Sequence, residues 1–331
     1  MATTPPTALP RSNAPTAVVA MGGHAFIQPG ERGTYEDHER NAHRICTELL
    51  TFIERGYNLV LTHGNGPQVG VLLQRMEATR DLMPPSPLDM LVAQTQGGLG
   101  YLLQRALLDE MRHKDQHRFV VTMLTQVLVD PADPAFQAPS KPVGPFLTKE
   151  EAERNRDQLG WTIGEDVGRG WRRRVPSPRP HRIVQRELIR QVALSGSIVI
   201  AGGGGGIPVA MVGDPETNDF EGVEAVIDKD LTSGILAADV EADLLVILTA
   251  VDGVYLDYGE PHQRRLGAVT MAECKQYMDD DQFPMGSMGP KVAATYEFLL
   301  RQPGRRGLIT DAAHLRAALD GQAGTHFIGK I

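Results

Sequence analysis

AVVAMGGHAF, residues 17–26, is the stretch from which the fold can be read. A short apolar run of the kind that forms a buried strand stops at two glycines and a histidine. Gly22 and Gly23 carry no side chain, so a ligand can approach the backbone closely there. His24 is then the first side chain to reach it. The same layout recurs downstream: NLVLT (58–62) runs into THGNGPQVG (62–70), SIVIA (197–201) into AGGGGGIPV (201–209), and DLLVILT (243–249) into LTAVDGVY (248–255). FVVTMLTQVLV (119–129) and RGLIT (306–310) are two further strand-like runs.

Helix-like runs separate these strands. Ile45, Leu49, Phe52 and Ile53 give residues 35–55 a helical spacing that stops before Gly56. Further helices are expected over 68–78, over 88–111 (weakened by Gly97 and Gly98), and over 183–196, 229–240, 290–302 and 311–321. Strands rich in Val, Ile and Leu that alternate with helices imply an α/β protein with a mainly parallel sheet covered on both faces. In such folds ligands bind beyond the carboxyl ends of the strands, where the glycine-rich stretches lie.

The chain has 331 residues, more than one core usually organises, so a second lobe or a large insertion is expected. Residues 130–181 break the alternation with many Pro, Arg and Gly and read as an inserted subdomain or lid. Residues 1–16 read as a disordered, Pro- and Thr-rich tail without the apolar middle of a secretory signal. No apolar run approaches the roughly 18–20 residues that cross a bilayer. Cys46 and Cys274 are far apart and read as reduced core thiols, so a cytoplasmic location is the default. The formal charge of −8 argues against nucleic acid as a partner, and the arginine-rich GWRRRVPSPRPHR (170–182) reads as fixing the lid and facing an anionic cleft.

Glycine-rich turns that open helices offer backbone N–H groups to anions. Any one such turn is weak evidence, but several at strand ends in one α/β chain point to phosphate. None matches GxxxxGK[ST], and none pairs GxGxxG with a downstream acidic residue. Only 7 of the 33 basic residues are lysine. Three of these sit in tight segments: Lys141 in PSKPVGP, Lys229 in VIDKDL and Lys291 in SMGPKV. Lysine is a compact charge suited to phosphate oxygens, and phosphoryl transfer is catalysed mainly by positioning and charge neutralisation. Asp228 and Asp230 flank Lys229 and could orient these ammonium groups. Nothing makes a strong case for a Ser-His-Asp set, a CxxC zinc pair or HExxH.

With THGNGPQVG, PLDMLVAQTQGG, VDPADPAF, KPVGPF, EDVGRGWRRRVPSP, GGGGIPV, GVEAVIDKDL, VDGVY and FPMGSMGPKV together, residues 17–331 resemble the carbamate kinases of the amino-acid kinase family. The resemblance implies a three-layer αβα sandwich with a mainly parallel central sheet, a protruding subdomain at about 130–181, and a homodimer. It implies an acceptor-binding N-terminal half and an ATP-binding C-terminal half. Lys141, Lys229 and Lys291 match the lysines around the transferring phosphoryl group, and Asp230 matches the aspartate that organises them. Gly22, Gly23, His24, Gly64, Asn65 and Gly66 fall on the acceptor side. Gly203, Gly204, Lys229, Asp252, Tyr255, Met288 and Lys291 fall on the nucleotide side. The implied reaction is ATP + carbamate ⇌ ADP + carbamoyl phosphate with Mg²⁺, with no metal held by protein side chains. Catabolic members, in arginine metabolism, run it towards ATP. No membrane partner is implied.

Three positions depart from the family pattern. His24 stands where the family usually has Asn, Gly202 where it usually has Cys, and Ala250 where it has an acidic or amide residue. In one reading the imidazole of His24 replaces the amide as a donor and the reaction is unchanged. In the other it re-aims the pocket to a different small carboxylate or carbamate. A nucleotide-binding regulator without turnover is the third alternative; retention of the three lysines and Asp230 counts against it.

Overall fold

The computed structural model describes residues 12–22, 25–28, 30–166, 170–213, 219–284 and 286–329. In chain order the elements of the first half are β1 (Thr16–Met21), α1 (Tyr35–Glu54), β2 (Asn58–His63), α2 (Gly66–Ala78), α3 (Leu88–His113), β3 (Val120–Thr122) and β4 (Gln126–Val129). The inserted stretch forms β5 (Lys141–Leu147), α4 (Lys149–Leu159), β6 (Thr162–Asp166), β7 (Gly170–Val175) and β8 (Pro180–Ile183). There follow α5 (Arg186–Leu194), β9 (Ile198–Ile200), β10 (Ile207–Val212), β11 (Asp219–Gly222), α6 (Lys229–Asp239) and β12 (Leu244–Leu248). The chain closes with β13 (Tyr255–Leu256), β14 (Arg264–Arg265), β15 (Ala268–Thr270), α7 (Met271–Asp279), α8 (Gly289–Leu300), β16 (Arg306–Thr310), α9 (Leu315–Leu319) and β17 (Thr325–Ile328).

Eight strands form the central sheet in the order β15-β17-β16-β12-β1-β2-β9-β3. Every neighbouring pair is parallel except β16 and β17. Both faces are buried, and the two-residue strand period divides the core. Val18, Ala20, Val60, Leu245 and Ile247 pack with Ile189, Leu236 and Phe298 from α5, α6 and α8. Ala17, Val19, Met21, Leu61 and Val246 pack on the other face with Leu49, Phe52 and Leu103 from α1 and α3. Each fully buried side chain of this size contributes about 1.5–3 kcal/mol relative to exposure. These layers are the expected αβα sandwich. Strands β12, β1, β2 and β9 are adjacent and parallel, so the four glycine-rich stretches all leave the same end of the sheet.

The run at 119–129 is not one strand. β3 ends at Thr122 in the central sheet, and β4 starts at Gln126 in a second sheet ordered β11-β10-β4-β8. The switch turns at Thr125, which is fully buried and whose backbone N–H donates to Gln96 Oε1 at 2.8 Å. Helix α3 runs unbroken through Gly97 and Gly98. Gly100 has a packing reason: a Cβ there would lie 2.2 Å from Thr122 Cγ2. The helix expected over 311–321 shrinks to α9, and the end of the chain pairs as β17 antiparallel to β16.

A third, antiparallel sheet, β5-β7-β6, carries α4 and stands apart from the central one. Its base meets the body through a small satellite core: Val143 and Val175 pack with Val69, Leu73, Leu88 and Val92. Arg172 and Arg174 both pair with Asp166 inside this sheet and so fix the subdomain. At the N-terminus Ser12 is already in place, its N–H donating to the Leu194 carbonyl (2.6 Å). Most of the expected tail lies outside the described residues.

Candidate active site

Helix α6 starts at the open end of the sheet. Asp228 caps it, its Oδ1 accepting from the N–H groups of Asp230 (2.9 Å) and Leu231 (3.4 Å). This cap fixes the first turn, which carries Lys229 and Asp230. Helix α8 packs alongside. Gly234 makes the approach possible, since a Cβ there would come 2.8 Å from the Ala294 carbonyl oxygen. The close packing brings the first turn of α8, with Lys291, beside that of α6.

Asp230 is the hub. Its Oδ2 accepts from Lys291 Nζ at 2.9 Å and its Oδ1 from Lys229 Nζ. The residue is 3% exposed. Burial pushes its carboxyl up, but the ammonium groups of Lys229 and Lys291 outweigh that and hold it below the ordinary value of 3.8. Lys291 also donates to the Ser287 carbonyl at 3.1 Å.

Lys141 arrives from the subdomain, at the start of β5. Its Nζ donates to the Ile227 carbonyl (3.1 Å) and lies 3.4 Å from Asp228 Oδ2. Burial lowers its pKa from the ordinary 10.5, against the opposing pull of Asp228. Three ammonium groups from three separate segments thus converge on one helix N-terminus. Sequence reasoning singled out these three lysines and both aspartates; tertiary structure brings them together.

The loop expected on the acceptor side follows β2. Asn65 caps α2 without a side-chain bond, which leaves the first-turn N–H groups of α2 open to an anion. The Asn65 amide instead donates to Thr95 Oγ1 at 2.8 Å. Gly22, Gly64 and Gly66 lie at the same strand ends. Gly23 and His24 lie outside the described residues.

The glycine run after β9 is also shaped by packing. Gly202, Gly204, Gly205 and Gly206 all have φ between +65° and +93°, the region that disfavours side chains. A Cβ on Gly203 would lie 2.3 Å from His63 Nε2, and one on Gly204 would lie 2.2 Å from Asn65 Nδ2. The glycine run is therefore wedged against the loop that follows β2. His63 is buried and packs edge-on to Phe26 with ring centroids 5.7 Å apart. Burial, with nearby Lys229 adding to it against a bond from His63 to Gly64, pulls its pKa down to about 4. It is a neutral residue packed between Phe26 and the glycine run.

The remaining residues expected on the nucleotide side sit further along. Tyr255 Oη donates to Asp252 Oδ1 at 2.7 Å, and Arg265 Nη1 donates to its Oδ2 at 3.1 Å. The tyrosine hydroxyl first, and Arg265 with it, hold Asp252 below 3.8 against a smaller opposing effect of burial. Met288 caps α8 and is half-buried against the core.

Sequence reasoning passed over Gln96 and Thr125. Gln96 Nε2 donates to the carbonyls of Gly203 (2.9 Å) and Thr125 (3.2 Å), and the Gly202 N–H donates to Thr125 Oγ1 (2.9 Å). This bracket ties the glycine run to α3 and to the strand switch. Gln96 lies within PLDMLVAQTQGG, and an amide among apolar helix positions was the available signal.

The family model for the amino acid kinase family matches residues 15–311. The chain belongs to this family. A carbamate kinase from Thermococcus kodakarensis is 45% identical over 94% of this chain and 98% of its own. The structure of the Giardia lamblia carbamate kinase bound to AMP-PNP superposes with a TM-score of 0.88 at 38% identity, covering 96% of this chain and 99% of that one. A second Giardia structure, thiocarbamoylated by disulfiram on a cysteine, gives a TM-score of 0.86 at 38% identity over 96% of this chain and 99% of that one. The lysine cluster of α6, α8 and β5 is therefore set in an amino acid kinase fold.

Among the described residues no group of three or more His, Cys, Asp or Glu side chains could hold a metal ion. Asp230 is engaged by two lysines, and Asp228 by the α6 backbone and Lys141. These side chains do not fit a protein-held cation. Likewise, no helix among them is long and apolar enough to cross a membrane.

Proposed function

We propose that this chain is a carbamate kinase that catalyses ATP + carbamate ⇌ ADP + carbamoyl phosphate. One observation carries the reading: Asp230 is buried between Lys229 and Lys291, with Lys141 arriving from the subdomain at the same helix N-terminus. Phosphoryl transfer to or from an acyl oxygen spreads negative charge over three phosphoryl oxygens. Three ammonium groups and backbone N–H donors neutralise that charge in the transition state. Carbamate is already an anion, so no base need take a proton from the attacking oxygen. In the reverse direction an ADP β-phosphate oxygen forms the new P–O bond while the bond to the carbamate oxygen breaks, and carbamate leaves.

In this reading the acceptor binds at the β1 and β2 loops in the N-terminal half, and the nucleotide phosphates bind at the glycine run, Lys229 and Lys291 in the C-terminal half. Mg²⁺ would come bound to the nucleotide phosphates, in keeping with the occupied carboxylates around Asp230. The reading includes a homodimer. Support comes from the sheet edge at β3, which Phe119 and Leu124 flank, 85% and 55% exposed. It also includes a cytoplasmic location, in keeping with two free thiols.

The test is ATP formation from carbamoyl phosphate and Mg-ADP by the wild type and by His24→Asn. Rapid ATP formation by the wild type supports the reading. Activity gained only in His24→Asn would mean a pocket re-aimed to another small carboxylate or carbamate. Silence from both with nucleotide still bound would refute an enzyme and favour a regulator.

A further inference from the structure

A cavity of about 810 Å³ lies between the subdomain and the body, and none of the three lysines lines it. Its size falls in the range of small-molecule sites, about 300–1,000 Å³. The walls are largely apolar, with Met76, Leu88, Phe136 and Trp161 among several prolines. Three arginines and one glutamate also line it.

The charges are unequally matched. Arg80 makes two hydrogen bonds to Glu77, at 2.8 and 2.7 Å. Arg174 is held by Asp166 and by the Glu165 carbonyl at 3.1 Å. Arg173 differs. Its guanidinium lies over the Trp161 ring, 4.9 Å from the centroid. Among the described residues its one hydrogen bond is a long one, 3.4 Å to Glu224 Oε2. Glu224 is itself tied elsewhere, its Oε1 accepting from the Leu88 N–H at 2.7 Å. The Arg173 side chain is 19% exposed and that of Glu224 54%. A mostly buried cation is therefore left with a weak, wet partner and unused donors in a fork geometry that suits a carboxylate. Burial pushes the guanidinium below its ordinary pKa, and Glu224 with the more remote charge of Glu77 only partly compensates.

We propose that this cavity is a regulatory site for a small aromatic carboxylate, whose charge meets Arg173 and whose ring meets Trp161 and the apolar wall. The strand register supplies the link to catalysis. Val143 of β5 pairs with Arg173 of β7, and Lys141 pairs with Val175, which lines the cavity. A ligand bracing β7 against the α2–α3 connection fixes the strand that carries Lys141, and so alters phosphoryl transfer without touching the acceptor site.

Benzoate is the probe, with benzyl alcohol as its neutral counterpart, titrated calorimetrically into the full chain. Binding is read independently of activity; only the kinetic arm rests on the carbamate kinase reading. Saturable benzoate binding is expected, with none for benzyl alcohol. Arg173→Gln should weaken it at least tenfold. Ser86→Asp places a carboxylate on the opposite wall, leaves Arg173 untouched, and should weaken it similarly, so the test survives if the arginine variant does not fold. At saturating carbamoyl phosphate and Mg-ADP, benzoate should change kcat at least twofold without raising KM for carbamoyl phosphate. No binding up to 10 mM, or affinity unchanged in folded variants, overturns the site. Competition with carbamoyl phosphate overturns it too, by placing benzoate at the acceptor loops. Binding without any change in kcat overturns the regulatory role.

Discussion

Replacing Asp230 by asparagine removes one charge and almost no volume, so it isolates what the aspartate does for the lysines. The carboxylate accepts two charge-assisted hydrogen bonds, from Lys229 and from Lys291 at 2.9 Å. Bonds to charged groups contribute about 1.5–3 kcal/mol each, so the pair is worth about 3–6 kcal/mol. Asparagine keeps one acceptor oxygen, leaving a loss of about 2–3 kcal/mol. If that loss falls on the transition state, kcat drops about 10²-fold, at 1.36 kcal/mol per decade. The lysine charges survive, so the substrates should still bind and KM should move little. The assay is coupled ATP formation from carbamoyl phosphate and Mg-ADP, with circular dichroism to confirm the fold. Stability offers a second check. The native carboxyl titrates below its unfolded value, so its stabilisation is present above that value and is lost as pH falls through the native one. Asp230→Asn should remove that part of the acid sensitivity. A folded Asp230→Asn enzyme with kcat within threefold of wild type would refute the idea that Asp230 positions the lysines.

Other consequences follow from single groups. Burial lowers the pKa of Lys141 below 10.5, so kcat should decline at an alkaline pH where a free lysine is still charged; Lys141→Arg, if active, should lack that limb in a pH–rate profile. His63 is neutral when folded, with a pKa of about 4 against 6.5 unfolded, so stability should be full above pH 6.5 and fall by about 3 kcal/mol as pH drops towards 4. Urea melts across that range should show the loss, and His63→Gln should show less of it. Cys46 and Cys274 are both buried, and burial pushes the Cys274 thiol up to about 12 and that of Cys46 higher. The native chain should therefore resist disulfiram and react with a thiol reagent only on unfolding; rapid labelling of the native protein would contradict this burial.

The sequence by itself carried the class of fold and the identity of the charged groups. Alternating apolar strands and periodic helices suffice for a parallel sheet, because strands buried on both faces must be apolar throughout. Scarce lysines beside Gly and Pro were visible in a chain that otherwise uses arginine. Tertiary structure decided the rest. That Asp230 takes both Lys229 and Lys291 depends on α6 and α8 packing closely at Gly234, a contact between segments about 60 residues apart in the chain with no local signature. The break of the 119–129 run depends on Gln96 of α3 capturing the Thr125 backbone. The glycine run read as a phosphate cradle, yet the positions of its glycines are also dictated by His63 and Asn65 lying against them. Local pattern reports what a segment can form alone; which side chains meet depends on how the layers stack, and that is settled by packing across the whole sheet.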